Sequence, residues 1–172
     1  ILNNIIDSIR NLIFSVKDIS TRIYAINVLH NKDILLDLML KRKESFFCKL
    51  VGILYTKEDE KIKEKLIQTI GILAAKSENK NYFITCVKKN VNNILFTIGN
   101  CEDIIYIENL TYLLLYYTIY LKKLFDLNLI EKIILGLIIL NINYDYQGII
   151  FIISLKIINE LLNTDLINNI FI

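Results

Sequence analysis

Residues 78–117 read ENKNYFITCVKKNVNNILFTIGNCEDIIYIENLTYLLLYY, and the way this stretch divides decides the fold. Its apolar residues recur every three or four positions and not in strict alternation, which is the periodicity of helices. Polar residues break the pattern at Asn90 and again at 99–103. The spacing predicts a short helix at 79–89, a medium helix at 91–98 and, after an acidic turn, a long helix at 102–121. The chain contains no proline, so no interior breaker interrupts these runs.

The same short, medium and long triplet recurs on both sides. Before it the pattern predicts helices at 32–41, 44–55 and 58–75, and after it at 123–127, 129–140 and 147–162. A medium and a long helix, 1–15 and 18–29, precede the first triplet, and 164–172 opens another. One apolar stripe runs through Ile62, Leu66, Ile70 and Leu73. A wider one takes in Ile133, Ile134, Leu137, Ile138 and Leu140, as for a helix covered on most sides. The expected organisation is a single segment, 1–172. It holds a partial unit at 1–30, full units at 31–75, 76–121 and 122–163, and the start of a further unit at 164–172. The repeat of roughly 42 to 46 residues lies in the band of armadillo and HEAT arrays. The sequence opens on Ile1 and both ends read as helix, so a piece of a longer protein is expected.

With that layout, residues 78–117 resemble an armadillo repeat: a short helix opening at Asn79-Lys80, a tight turn, a second helix, an acidic turn and a long third helix. Asn90 and Asn128 stand where the family usually has Gly, and Asn tolerates the same left-handed backbone. In the first triplet that place holds Arg42 or Lys43, and the family's frequent Pro at the start of the second helix is absent throughout. Two-helix repeats of the HEAT type stay open on the same pattern. The resemblance implies an all-α, right-handed α-solenoid of three-helix repeats whose third helices line a concave binding face.

Peptide-binding members of the family grip an extended backbone with one Asn per repeat, and some add Trp one helical turn earlier. Aligned third helices place Val28, Ile72, Tyr116 and Glu160 in the Asn row, and Tyr24, Gln68, Tyr112 and Lys156 in the Trp row. Neither amide ladder nor Trp is present, and Val and Ile can neither donate to nor accept from a peptide backbone. The rows therefore argue against a reader of basic peptides. They leave Tyr24, Gln68, Tyr112, Tyr116, Lys156 and Glu160 as candidate partner-binding residues, with amphipathic tyrosines of the kind enriched in interfaces. Glu64 and Glu108, one turn earlier, add an acidic spot.

Composition narrows the function. Hydrophobic residues make up 54% of the chain and charged residues 22%, enough for an extensive core. Twenty basic against 18 acidic residues leave a net charge of +2, without the concentrated positive field that nucleic acid requires. A mean hydropathy of +0.45 raises the question of a membrane span. The best candidate, Ile104–Leu121, contains Glu108 and Asn109, and the run 133–155 is broken by Asn141, Asn143, Asp145, Gln147 and Gly148.

Chemistry-bearing motifs are sparse. Cys48, Cys86 and Cys101 are widely spaced and His30 is the single histidine, which predicts free thiols in a reducing intracellular compartment and no metal or cofactor. No nucleophile elbow, P-loop or zinc-protease motif occurs, so no catalytic residue is assigned. The cluster Lys41-Arg42-Lys43 reads as a solvated turn, and 57–65 as an exposed first helical turn with Glu58 and Asp59 at its N-terminus. The expected function is a non-enzymatic scaffold or adaptor that holds protein partners, such as an extended peptide or another subunit, through its concave face or open ends. The competing class is a membrane-associated helical protein that uses its apolar C-terminal half.

Overall fold

The computed structural model describes residues 1–31, 59–76, 80–145 and 148–170. Among them the structure is helical and contains no strand, as the periodicity predicts. The predicted helices at 32–41 and 44–55, the basic cluster at 41–43 and Cys48 lie outside the described residues. The chain divides into two compact units, 1–77 and 78–172.

In the first unit, α1 (Leu2–Phe14) packs on α2 (Ile19–Asn31), and α2 on α3 (Glu60–Lys76). Ile6, Ile9 and Ile13 of α1, Ala25 and Ile26 of α2, and Ile62, Leu66, Ile67 and Ile70 of α3 form the core. Each fully buried Ile or Leu contributes about 1.5–3 kcal/mol. Asp18 starts α2 by accepting hydrogen bonds from the Thr21 amide (2.7 Å) and hydroxyl (2.6 Å), and Asp59 starts α3 by accepting from the Lys61 amide (2.9 Å). The buried Arg22 donates from Nε to the Ile13 carbonyl at 2.7 Å, placing a cation at the C-terminal end of α1.

The second unit contains α4 (Lys80–Asn100), α5 (Ile104–Leu121), one turn of 3-10 helix (Lys122–Leu124), α6 (Leu127–Asn143), α7 (Gly148–Leu162) and the short α8 (Asp165–Ile170). The turn predicted at Asn90 is absent: α4 runs unbroken through it, joining two predicted helices into one of 21 residues. The buried stripe Val87, Val91, Ile94 and Ile98 passes Asn90 without a change of phase. Asn costs only about half a kcal/mol in a helix interior, less than the burial of one of these side chains. The turn expected at Asn128 falls slightly earlier. Asp126 caps α6 by accepting from the Leu129 amide at 2.9 Å, and Asn128 sits exposed in the first helical turn.

These helices form two hairpins in which like packs on like: α4 on α6, and α5 on α7. Lys88 of α4 pairs with Asp126 at the start of α6, while Leu95 meets Gly136 further along both helices. The two therefore run in the same direction. A Cβ at Gly136 would lie 3.2 Å from Leu95 Cδ2, so the small residue permits this close approach. Within the second hairpin, Asn141 near the end of α6 donates to Ser154 Oγ of α7 at 2.8 Å, which sets the two helices antiparallel. Between the layers lie Ile107, Leu110, Leu114, Tyr117 and Leu121 of α5, and Ile150, Ile153, Ile157 and Leu161 of α7. Thr111 and Thr118 are buried beside them and donate to the Ile107 and Leu114 carbonyls at 2.7 and 2.9 Å, so neither hydroxyl is stranded.

Candidate partner-binding face

Helix α5 begins where Asp103 accepts hydrogen bonds from the Ile105 and Tyr106 amides at 3.0 and 3.3 Å. That cap fixes the rotation at which the helix enters the unit. Its buried stripe faces the core, and the opposite side carries Ile105, Asn109, Tyr112, Tyr116 and Ile119 at three- and four-residue spacing. Ile105 is 73% exposed, whereas Tyr112 and Tyr116 are half-buried. On the neighbouring α7, Ile149, Ile152 and Lys156 are exposed and Glu160 is half-buried. Lys122, just past the end of α5, donates to Glu160 Oε2 at 2.7 Å and ties the C-terminal ends of the two helices together. Both partners are partly exposed, so this pair contributes at most about 1 kcal/mol.

The six sequence-selected residues fall into two groups. Tyr112 and Tyr116 on α5 and Lys156 and Glu160 on α7 occupy adjacent helices of the second unit. In the first unit, Tyr24 on α2 is 72% exposed, and the half-buried Gln68 on the adjacent α3 accepts a hydrogen bond from Lys65 Nζ at 3.3 Å. Sequence alignment of the rows missed the apolar members of the same sides, Ile105, Ile119, Ile149 and Ile152. Their signal was present in the near-continuous apolar runs of α5 and α7, which exceed what one buried stripe needs.

Electrostatically the face is mild. The displaced carboxylates of the molecule are structural. The Lys88 ammonium beside Asp126, followed by the Leu129 amide, holds that carboxyl below its usual range, and the Thr21 hydroxyl and amide do the same for Asp18. Among the described residues no three His, Cys, Asp or Glu side chains stand close enough to hold a metal ion. One helical stretch, Ile104–Leu124, is long and apolar enough to cross a membrane, and 50% of its most apolar window is buried within the molecule. No family model, no curated protein and no solved structure matches the chain.

Proposed function

We propose that this chain is a helical-repeat scaffold of the armadillo and HEAT kind, a right-handed solenoid segment that holds protein partners and performs no catalysis. The observation that carries the reading is the stacking of α4 on α6 and α5 on α7. A unit that cannot bury both faces alone gains a continuous core by stacking on a like unit, and the stack leaves one layer of helices free to bind. The unbroken α4 favours the two-helix version of the repeat, with α4–α5 and α6–α7 as successive units. On the α5–α7 layer, Tyr112 and Tyr116 supply rigid amphipathic area at small entropic cost, and Lys156 and Glu160 supply charge of both signs. A segment of mixed polarity suits that surface better than a uniformly basic or acidic one.

A photocrosslinking amino acid tests the reading at three positions: Tyr112 on α5, Lys156 on α7, and Lys132, which is exposed on α6. Capture of the same protein from Tyr112 and Lys156, but not from Lys132, is the expected result. Equal capture at Lys132, or different species at Tyr112 and Lys156, would remove the shared face.

Membrane association is the second reading, favoured by the length and apolarity of Ile104–Leu124. It predicts that the chain floats with vesicles in a density gradient, whereas the scaffold reading predicts that it stays in the dense fraction.

A further inference from the structure

Two stripes of side chains converge where Lys122 meets Glu160. On α5 and the turn after it, Glu108, Tyr112, Leu115, Ile119 and Lys122 follow one another at four- and three-residue spacing, which keeps them on one flank. On α7, Ile149, Ile152, Lys156 and Glu160 do the same. Because α4 and α6 run in the same direction and each turns back into the next helix, α5 and α7 are parallel. The 2.7 Å hydrogen bond from Lys122 to Glu160 joins the ends of the two stripes, so they flank one groove. Ile119, Ile149 and Ile152 are 41%, 48% and 54% exposed along it, and Tyr112 and Leu115 are half-buried. Charge is segregated along its length. No Lys or Arg occurs in 90–121 or in 133–155, and those spans hold Glu102, Asp103, Glu108 and Asp145, toward the N-terminal ends of α5 and α7. Lys122, Lys123 and Lys156 lie toward the other end, where Glu160 is already engaged by Lys122.

We propose that this groove takes an amphipathic α-helix of a partner protein, laid antiparallel to α5 and α7, with acidic residues in its first turn and basic residues in its last. The inference rests on the scaffold reading and names the form of the partner. An extended peptide must find partners for its backbone amides and carbonyls. Of Tyr112, Leu115, Ile119, Ile149 and Ile152, only the Tyr112 hydroxyl can supply one. A helix satisfies its own backbone and asks of the groove only an apolar surface for its stripe. The flank from Glu108 to Lys122 is about 21 Å long, which matches about four turns. The ends set the direction. Acids at a helix start and bases at its end complement its own dipole, and an antiparallel helix of that build lays its acids over Lys156 and its bases over Glu108.

The test is fluorescence anisotropy of the 172-residue chain with three synthetic 16-residue peptides. All carry Leu at positions 3, 7, 10 and 14. The first has Glu in its first turn and Lys in its last, the second exchanges the two, and the third repeats the first with two central Pro residues. The first should bind with Kd on the order of 10 µM, the second at least five-fold more weakly, and the third not measurably. Ile152→Glu should weaken the first peptide at least ten-fold with an unchanged far-UV circular dichroism spectrum, and Ile152→Ser, which serves if that variant fails to fold, several-fold. Lys156→Glu should abolish the preference between the first two peptides, while Ile139→Glu on α6 should change nothing. Absence of binding, equal binding of the first two peptides, or insensitivity to both Ile152 variants overturns the proposal. Equal binding of the Pro peptide overturns it in favour of an extended segment. A dimer in sedimentation equilibrium that Ile152→Glu dissociates overturns it in favour of a second copy. Peptide failure beside shared capture from Tyr112 and Lys156 sinks the helix and leaves the scaffold standing, and failure of both sinks both.

Discussion

Two side chains show how polar groups are accommodated in an interior built largely of isoleucine and leucine. Asn141 and Ser154 are both buried where α6 meets α7; Asn141 Nδ2 donates to the Leu137 carbonyl at 2.7 Å as well as to Ser154, and Ser154 Oγ donates to the Ile150 carbonyl at 2.6 Å. Asn141 Oδ1 is buried and accepts no hydrogen bond. Ser154→Ala should therefore destabilise the second unit by about 1 kcal/mol, since it withdraws an acceptor from a buried amide. Asn141→Leu with Ser154→Ala should return to within about 1 kcal/mol of the parent, because the unsatisfied oxygen goes with the pair. Urea denaturation of the two singles and the double measures the coupling, and additive losses would show that the pair does not act as one group. Asp126 supplies a pH signature. Its carboxyl is held low by Lys88 first and the Leu129 amide second, so its contribution is present above the ordinary carboxylate range, near 4, and is lost as the pH falls through its lower folded value. Asp126→Asn should flatten the acid limb of the stability profile; because the site is half exposed, the effect is small and screened by salt.

Elements obey their own periodicity more faithfully than they obey local punctuation. The apolar spacing predicts a turn at Asn90, where Asn tolerates left-handed backbone, yet the residue lies inside α4 among residues whose burial pattern never breaks. Asn90→Gly distinguishes the two conformations by sign. In a left-handed turn Gly relieves strain and stabilises, whereas inside a helix it costs roughly 0.5 kcal/mol or more. A lowered urea midpoint is expected, and a raised one would restore the turn. The caps behaved differently. Asp18, Asp59, Asp103 and Asp126 each stand at a helix start and accept from one or two amides of the first turn. For α5, Asp103→Ala should cost about 1 kcal/mol in thermal or urea unfolding.

For the molecule as a whole, the contact between α5 and α7 holds the second unit together. Leu114 and Ile157 are fully buried on α5 and α7, the helix pair with the most extensive packing. Leu114→Ala or Ile157→Ala should each cost about 2–5 kcal/mol, while Leu115→Ala, half-buried on the same helix as Leu114, should cost much less. A loss at Leu114 no larger than at Leu115, measured by urea unfolding, would mean that the α5–α7 contact does not organise the unit. The apolar surplus of α6 and α7 belongs to this scale too, because whether those side chains meet a partner is a property of the surface and not of any one helix.

Much of the helix inventory could be read from the chain. Outside the α4 fusion and the short helix expected at 123–127, where one 3-10 turn at Lys122–Leu124 stands instead, the described helices begin and end within two or three residues of the breaks in apolar spacing, because helix periodicity and Asp caps are local effects written into consecutive residues. Tyr112 and Tyr116 lie on α5, and Lys156 and Glu160 on α7, helices that the apolar spacing predicts. What consecutive residues did not carry is which helix packs on which. The partition into two compact units, the stacking of α5 on α7 with Lys122 reaching Glu160, and the close approach of Leu95 to Gly136 join residues far apart in sequence. Those contacts are chosen by shape and burial between distant segments, and they decided that Asn90 is an interior helical residue and that the outer side of α6 and α7 is left uncovered.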